Sequence, residues 1–224
     1  MNRLAALVPM RHHSQRVPEK NYRPLAGRPL YSYILETLGK VDAIDEIIVD
    51  TDSPVIKAGL ADAFPDVIVL DRPDSLRAPD VPMNDVILWD LARVPAEHYL
   101  QTHSTNPLLT AETITRGLDM YFNSLETCDS LFSVTRLQKR LWTPEGEPLN
   151  HDPSKLIQTQ NLPAIMEENS CLYIFSREGM QARGNRIGAS PLLFEIAADE
   201  ALDIDEPADL ELVEALLRLH SSKV

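Results

Sequence analysis

The sequence contains little cysteine and glycine and no long hydrophobic segment. Two cysteines in 224 residues exclude a disulfide framework and a cysteine-based zinc site, so Cys128 and Cys171 are expected to be buried free thiols in a reducing compartment. The eight glycines exclude collagen-like and glycine-rich linker sequences. No apolar run approaches the ~20 residues that a membrane-spanning helix requires. The apolar segment 4–10 is too short for a secretory signal and is followed by Arg11 and His12, which predicts a cytoplasmic protein.

Positive charge is also scarce. The chain has 21 lysines and arginines against 34 aspartates and glutamates, a net charge of −13. Since binding to nucleic acid depends on neutralising phosphates with basic side chains, we expect no nucleic-acid partner, and we expect no membrane partner. Hydrophobic residues at 44% and charged residues at 25% are typical of a folded chain, and the length predicts a single domain over residues 1–224.

Short apolar runs alternate with helical patterns along the first two thirds of the chain. The predicted strands are 4–8, 47–49, 67–70, 99–100 and 131–134, and the predicted helices are 29–39, 54–64, 86–92 and 111–124. This alternation predicts an α/β fold with βαβ units, a mostly parallel sheet and helices on both of its faces. Because such sheets bind ligands beyond the carboxyl ends of their strands, the loop after Val8 and the segments 50–52 and 103–106 are expected to share one edge.

The alternating pattern breaks between residues 136 and 164. Segment 142–148, with the sequence WTPEGEP, predicts a hairpin turn, and Asp152-Pro153 predicts another turn. We interpret residues 140–164 as an excursion from the main sheet, called the excursion below. The chain then returns as a predicted strand at 171–175 and ends in a predicted amphipathic helix at 207–219.

The loop after the first strand concentrates positive charge in an otherwise acidic chain. Four of the thirteen residues from Arg11 to Arg23 are lysine or arginine. Arg11 and Arg16 can form paired hydrogen bonds with phosphate oxygens, Lys20 can act as a point charge, and Ser14 adds a hydroxyl donor. These residues predict a site for a multiply charged anion, and an ordinary solvated basic loop is the alternative.

Two aspartates near the C-terminal end form a candidate metal site. Asp203 and Asp205 point to the same side of an extended chain, where two carboxylates can hold a hard cation such as Mg²⁺ together with substrate phosphates. Alternatively, Asp205 caps the helix that begins at Pro207, with Asp209 in its first turn. The two interpretations are compatible.

Three further residues are candidate contacts for a polar ligand. His103 follows a predicted strand, and Glu168 and Asn169 precede another. A structural histidine and a solvated turn are the respective alternatives. The adjacent His12 and His13 point apart in most conformations, which argues against a metal site there. The sequence lacks the glycine-rich motifs of P-loop ATPases and dinucleotide sites and the G-x-S-x-G motif of hydrolases, so it gives no support to these classes.

Taken in order, these motifs resemble those of the acylneuraminate cytidylyltransferases and of the related 3-deoxy-manno-octulosonate (KDO) cytidylyltransferases. Segment 8–21 resembles their signature loop, with Arg11, Ser14, Pro18, Lys20 and Asn21 in register. Further matches follow in family order: TD at 51–52, RPDSL at 72–76, TNPL at 105–108, ENSCLYI at 168–174 and DIDEPADL at 203–210. The similarity extends over nearly the whole chain.

The resemblance implies a Rossmann-like nucleotidyltransferase fold. It implies a Mg²⁺-dependent reaction in which a hydroxyl of a 2-keto-3-deoxy sugar acid attacks the α-phosphorus of CTP, releasing pyrophosphate and forming a CMP-sugar. The implied roles are triphosphate binding for Arg11, Ser14 and Lys20, further nucleotide contacts for Arg16, Asn21, Arg72 and Thr105, sugar contacts for His103, Glu168 and Asn169, and metal binding for Asp203 and Asp205. Arg11, Lys20, Asp203 and Asp205 are the expected catalytic residues. The excursion resembles the family's dimerisation arm, which implies a homodimer.

The chain departs from the family pattern at several positions. His12 and His13 replace two glycines of the signature loop, Gln15 replaces a lysine, and Ser170 replaces the glycine of E-N-G. Leu109 stands where many members carry arginine. From the resemblance as a whole, we expect CMP transfer to a sialic-acid-type nonulosonate. KDO transfer and a nucleotide-binding module with impaired catalysis are the alternatives.

Overall fold

The computed structural model describes residues 3–221, which form a β-sheet covered by helices. The strands are β1 (Leu4–Leu7), β2 (Pro24–Leu25), β3 (Arg28–Pro29), β4 (Glu46–Thr51), β5 (Ile68–Asp71), β6 (His98–Gln101), β7 (Ser130–Leu137), β8 (Ile165–Ser176) and β9 (Pro191–Glu195). The α-helices are α1 (Leu30–Leu38), α2 (Pro54–Ala63), α3 (Met83–Leu91), α4 (Ala111–Phe122), α5 (Arg177–Arg183) and α6 (Pro207–Ser221). Short 3₁₀ helices lie at Lys20–Tyr22, Asp74–Leu76 and Thr159–Asn161.

Seven strands form the main sheet, in the order β5-β4-β1-β6-β8-β7-β9. β1 is parallel to β4 and β6, β4 is parallel to β5, and β7 is parallel to β9. β8 runs antiparallel to both of its neighbours, β6 and β7. The prediction of a mostly parallel sheet is confirmed. β2 and β3 pair separately as a small antiparallel hairpin.

Apolar side chains cover both faces of the sheet because successive residues of a strand point to opposite sides. In β1, Ala6 packs on the face that also holds Ile34 of α1 and Leu118 of α4. Leu7 packs on the other face with Ile87 of α3. The fully apolar sequence of β1 therefore suits a central strand covered by helices on both faces, as predicted.

The central strands bring their following loops to one edge. The backbone N–H of Met10, just after β1, donates to the carbonyl of Asp50 at the end of β4, at 2.8 Å. The N–H of Thr102, just after β6, donates to the carbonyl of Leu7 at 3.1 Å. The three loops that the sequence predicts at a common edge therefore follow adjacent strands.

The excursion joins β7 to β8. Its turn is closed by a hydrogen bond from the N–H of Thr143 to the carbonyl of Glu147 at 2.8 Å, and Gly146 adopts a φ of 89° that favours glycine. Trp142 forms an isolated antiparallel bridge with Pro148. Within residues 3–221, no helix combines the length and the apolar character needed to cross a membrane.

The strand after the excursion begins earlier than the sequence analysis predicts. The expectation that Glu168 and Asn169 precede this strand is wrong, because both lie within β8, whose early start follows from the extension of β7 to Leu137 and from the pairing of Val134 with Glu168. The register between the two strands shifts beside this segment, and Ser170 adopts a left-handed φ of 60°. The segment is thus a distorted part of β8 rather than a solvated turn.

Candidate active site

A cavity of about 640 Å³ opens at the carboxyl edge of the parallel strands. Ten of the twelve predicted site residues line it: Arg11, Ser14, Arg16, Lys20, Asn21, Arg72, His103, Thr105, Asp203 and Asp205. Gln15 and Ser170, two of the positions that depart from the family pattern, line it as well. The fold therefore brings together residues from five separate segments of the chain.

Lys20 and Arg16 hold the carboxylate of Asp205 on one wall of the cavity. Lys20 Nζ lies 3.1 Å from Asp205 Oδ1, and Arg16 Nη2 lies 2.6 Å from the same oxygen. Burial raises the pKa of Asp205, but the hydrogen bond from Lys20 and the charges of Lys20 and Arg16 outweigh it, and the net pKa is lowered. Asp205 is therefore ionised at neutral pH.

Asp203 stands in a different environment from Asp205. Burial, the largest effect, raises the pKa of Asp203, and a hydrogen bond with Thr105 acts in the opposite direction. Its Oδ1 atom is buried and has no hydrogen-bond partner among the described residues. Such an oxygen is a free ligand position for a cation, because a buried carboxylate oxygen without a partner is otherwise costly.

The cation site is incomplete in the protein alone. Within residues 3–221, no cluster of three or more His, Cys, Asp or Glu side chains is arranged to hold a metal ion. Asp203 and Asp205 supply oxygen ligands of the kind that Mg²⁺ prefers, and this ion commonly completes its coordination with water and substrate phosphates. The residues present therefore fit Mg²⁺ that binds together with a phosphorylated substrate.

The alternative role of Asp205 as a helix cap is wrong. The carboxylate of Asp209 accepts the backbone N–H groups of Asp205 at 2.9 Å and of Glu206 at 2.7 Å, just ahead of α6. Asp209 satisfies these donors from inside the first turn of the helix. Because Asp209 caps the helix, the side chain of Asp205 is available to contact Arg16 and Lys20 of the loop after β1.

The loop after β1 is anchored by its histidine and asparagine side chains. His12 Nδ1 lies 2.8 Å from Ser53 Oγ, and the imidazole ring of His12 stacks on Tyr22. The backbone N–H of His12 donates to Asp52 Oδ1 at 2.7 Å. Asn21 donates to the carbonyl of Arg11 at 2.6 Å and accepts from the hydroxyl of Ser104 at 2.7 Å. His12 is therefore a structural residue that holds the loop, and Asn21 joins the loop to the segment after β6.

Arg72 reaches the cavity from a buried position beneath it. Its side chain is 2% exposed, and its Nε atom donates to Asp50 Oδ1 at 2.8 Å. Asp90 of α3 is buried beside this pair, and burial, followed by the charge of Asp50 and a hydrogen bond with it, raises the pKa of Asp90. Asp90 is therefore protonated at neutral pH, which leaves its carboxyl group uncharged beside the ion pair of Arg72 and Asp50.

Glu168 and Asn169, the remaining predicted residues, are not among those that line the cavity. The hydroxyl of Tyr173 donates to Glu168. The amide of Asn169 accepts from Ser133 Oγ at 2.5 Å and donates to Thr135 Oγ1 at 3.0 Å. Asn169 thus fixes the irregular pairing of β7 with β8, whereas Glu168 stays exposed.

His103 has two polar neighbours that the sequence analysis did not identify, Gln101 and Arg186. Gln101 Nε2 lies 3.1 Å from His103 Nε2, and Arg186 donates to Gln101 Oε1. Burial, followed by the charges of Arg186 and Lys20, lowers the pKa of His103 to about 4. His103 is therefore neutral at physiological pH. Gln101 directly follows the predicted strand 99–100, two residues before His103, but no local pattern marks Arg186, which follows α5 in the chain.

Comparison with known proteins gives several consistent matches. A family model described as cytidylyltransferase matches residues 5–223. The N-acylneuraminate cytidylyltransferase of Oncorhynchus mykiss is 26% identical over 215 residues, covering 91% of this chain and 49% of that protein. The CMP-N,N'-diacetyllegionaminic acid synthase of Legionella pneumophila is 27% identical over 234 aligned positions, covering 97% of each chain.

A solved structure supports the fold. The CMP:2-keto-3-deoxy-manno-octonic acid synthetase complexed with CTP matches with a TM-score of 0.73 at 17% identity, covering 97% of this chain and 99% of that one. The chain spans about half the length of the first curated relatives that it matches, at 49% and 50%. Since the family model covers nearly all of the sequence, the chain belongs to the cytidylyltransferase family.

Proposed function

We propose that this protein transfers CMP from CTP to a 2-keto-3-deoxy sugar acid of the sialic-acid type, with release of pyrophosphate. The observation that carries the proposal is the meeting of the basic β1 loop with the two aspartates ahead of α6, through Lys20 and Asp205, inside one cavity. The relatives named for N-acylneuraminate and for N,N'-diacetyllegionaminic acid support an acceptor of this class.

The cations of the β1 loop are suited to bind the triphosphate. Arg11, Arg16 and Lys20 line the cavity together with the hydroxyl of Ser14. Phosphoryl transfer depends mainly on positioning and on stabilising the charge of the phosphate oxygens, which guanidinium and ammonium groups provide. We assign Arg72, Asn21 and Thr105 to the nucleotide as well, with Arg72 held in place by Asp50.

We propose that Asp203 and Asp205 hold Mg²⁺ with the triphosphate. The buried, unpartnered Oδ1 of Asp203 and the ionised carboxylate of Asp205 support this assignment. When bound, Mg²⁺ supplies charge neutralisation at the phosphate oxygens. Lys20 keeps Asp205 beside the β1 loop, so the positions of Asp205 and of the loop are coupled.

For the sugar acid, we propose contacts with His103 and Glu168, with Asn169 supporting the strand that carries Glu168. His103 lines the cavity, and Glu168 is linked through Tyr173 to Ser170, which also lines it. The acceptor hydroxyl attacks the α-phosphorus of CTP and its proton leaves to solvent, while pyrophosphate is the leaving group.

We also propose that the protein is a homodimer. Four large apolar side chains of the excursion are exposed: Trp142 at 50%, Leu149 at 59%, Leu156 at 93% and Ile157 at 41%. A group of exposed apolar side chains on one segment favours association, because burial against a second copy removes their surface from water.

The nucleotide half of the proposal is tested first by thermal shift. Each of the four nucleoside triphosphates is added with Mg²⁺, and we expect CTP to raise the melting temperature most, because a ligand that binds only the folded state stabilises it. A larger shift with another nucleotide would contradict the assignment of CTP.

The transfer step is tested by pyrophosphate release with CTP, Mg²⁺ and a panel of sugar acids. We expect turnover with nine-carbon acids of the sialic-acid type. Preference for the eight-carbon KDO would instead favour KDO transfer, the alternative named from the sequence. Tight CTP binding without turnover of any acid would instead indicate a nucleotide-binding module.

A further inference from the structure

A chain of hydrogen bonds runs from Arg186 through Gln101 to His103, beside the cavity. Arg186 Nη1 donates to Gln101 Oε1. Gln101 Nε2 donates to the carbonyl of Thr102 at 3.0 Å and lies 3.1 Å from His103 Nε2. Arg186 and Gln101 are 85 residues apart, and the fold brings them together behind His103.

The chemistry of its neighbours determines how the amide of Gln101 is oriented. A guanidinium group can only donate hydrogen bonds, and a backbone carbonyl can only accept them. The oxygen of the amide therefore faces Arg186, and the nitrogen faces Thr102 and His103. Because an amide nitrogen carries only donors, His103 Nε2 must accept, which leaves the single proton of the neutral ring on Nδ1.

We propose that Arg186 and Gln101 fix His103 as the neutral tautomer with its proton on Nδ1, which makes His103 a hydrogen-bond donor to an oxygen of the bound sugar acid rather than a general base. The assignment of the acceptor rests on the proposed function. In this role Arg186 and Gln101 are positioning residues.

The surroundings of His103 agree with this role. His103 is half-buried and lines the cavity, and no group among the described residues hydrogen-bonds to its Nδ1 atom. Its pKa of about 4, lowered by burial and by the charges of Arg186 and Lys20, keeps the ring uncharged, although Asp205 acts in the opposite direction. The lone pair on Nε2 is occupied by Gln101, so this nitrogen is not free to accept a proton from a substrate hydroxyl.

Arg186 is itself held rigidly. Its guanidinium carbon lies 3.6 Å from the centre of the Tyr173 ring, a geometry of cation–π attraction. The hydroxyl of Tyr173 donates to Glu168, and the backbone N–H of Arg186 donates to Asn84 at 3.4 Å. These contacts fix the donor that orients Gln101.

The tautomer can be measured without any substrate. Long-range ¹H–¹⁵N correlation spectra of the ¹⁵N-labelled full chain distinguish the two tautomers, and the signals of His103 are identified by their loss in a His103→Gln variant. We expect a neutral ring with a protonated Nδ1 from pH 8 down to about pH 5. A proton on Nε2, or a charged ring at pH 7, would overturn the proposal.

Two variants test the roles of Gln101 and Arg186. A carboxylate at position 101 can only accept, so Gln101→Glu should move the proton to Nε2 and raise the pKa of His103. Arg186→Met should leave the amide free to turn and give a mixture of tautomers, while Arg186→Lys keeps a donor and serves as the matched control. An unchanged single tautomer in both Gln101→Glu and Arg186→Met would overturn the role of this chain of hydrogen bonds. Thermal unfolding checks that each variant is folded.

Steady-state kinetics then test whether His103 donates a hydrogen bond to the sugar acid. Loss of one hydrogen bond from a neutral donor corresponds to roughly a three- to tenfold effect, so Gln101→Glu should raise the KM for the sugar acid about three- to tenfold, with less than a twofold change in the KM for CTP. Equal changes in both constants, or none, would overturn the sugar-acid contact. If the wild type turns over no sugar acid, the proposed function and this contact both fail, whereas the spectra still decide the tautomer.

Discussion

Lys20 and Asp205 are 185 residues apart in the sequence, and their side chains meet at 3.1 Å in the cavity. Lys20 also donates to the backbone carbonyl of Ile204 at 2.7 Å. A single ammonium group thus fixes the segment that carries both aspartates against the loop that carries the other cations. This contact makes the loop after β1 and the proposed metal ligands one unit.

Replacing Lys20 by methionine should therefore impair CMP transfer strongly. We expect Lys20→Met to lower kcat/KM for CTP about 100-fold, since the loss of one preorganised donor to a developing charge costs about 10²–10³-fold in enzymes where it has been measured. Pyrophosphate release at varied CTP concentration measures the effect. Lys40→Met, at an exposed site after α1, is the control and should be neutral. Activity above half of the wild-type value would contradict the role of Lys20.

Gln15 offers a gain-of-function test, because it lines the cavity where the family carries a lysine. An added exposed cation contributes about 0.4–1 kcal/mol at low ionic strength, so Gln15→Lys should lower the KM for CTP about two- to fivefold under that condition. The gain should shrink in 0.5 M salt, because screening weakens exposed charges. Gln15→Met, which adds no charge, should lack the effect, and a KM for CTP that Gln15→Lys leaves unchanged at low salt would argue against triphosphate at this position.

The sequence predicts the elements whose signals are local. The apolar runs of β1, β4, β5 and β6 appear as strands at the expected positions, and Thr110 caps α4 by accepting from the N–H of Thr113 at 3.2 Å. The cations of the β1 loop were also recognisable, because they lie close together in an acidic chain. Such features depend on residues that are near one another in the sequence.

Several features set by distant partners were not predicted. No local pattern predicted α5, which has only seven residues, or β9, which begins with proline and lies at the edge of the sheet. The early start of β8 was not predicted either, because it depends on pairing with the end of β7. The contact between Arg186 and Gln101 had no local signal, because only the folded sheet brings these residues together.

Ser170 provides a test of backbone strain at the edge of the cavity. Its φ of 60° is costly for any residue with a Cβ atom, by about 1–2 kcal/mol. Ser170→Gly and Ser170→Ala both lose the hydroxyl that lies 3.1 Å from the Tyr173 hydroxyl, so their comparison isolates the Cβ. We expect the glycine variant to exceed the alanine variant by about 1 kcal/mol in the free energy of unfolding, measured in urea.

Ser75→Gly and Ser75→Ala are the control variants for this comparison. Ser75 lies in a 3₁₀ helix and is not among the described residues with positive φ. There we expect the alanine variant to have the higher free energy of unfolding, since glycine loses more conformational freedom on folding. If the glycine variant were the more stable one at both sites, backbone strain would not explain the difference at Ser170.

Leu156 tests the proposed homodimer. It is 93% exposed in the isolated chain, so Leu156→Glu should leave the fold intact while weakening association. Size-exclusion chromatography with light scattering should give a dimer mass for the wild type and a lower mass for the variant at the same concentration. Leu125→Glu, at a 41% exposed site outside the excursion, should stay dimeric. A monomeric wild type would refute the homodimer.

Asp90 should make the stability of the protein depend on pH. Its pKa is raised by burial, by the charge of Asp50 and by a hydrogen bond with it, while Arg72 and Arg93 act in the opposite direction. A group with a raised folded-state pKa contributes stability that is complete below its unfolded pKa of about 3.9 and is lost as pH rises through the folded value. The wild type should therefore lose stability progressively between pH 4 and pH 9.

Asp90→Asn removes this titration while keeping a donor toward Asp50. We expect the free energy of unfolding of the variant, relative to the wild type, to rise by at least about 1 kcal/mol from pH 5 to pH 9, because each unit of pKa shift corresponds to about 1.4 kcal/mol. Urea unfolding at pH 5, 7 and 9 measures it. Asp85→Asn, at an exposed position of the same helix, should follow the wild-type curve. If the Asp90→Asn curve runs parallel to that of the wild type, Asp90 is ionised in the folded protein, and Arg72 is then held between two negative charges.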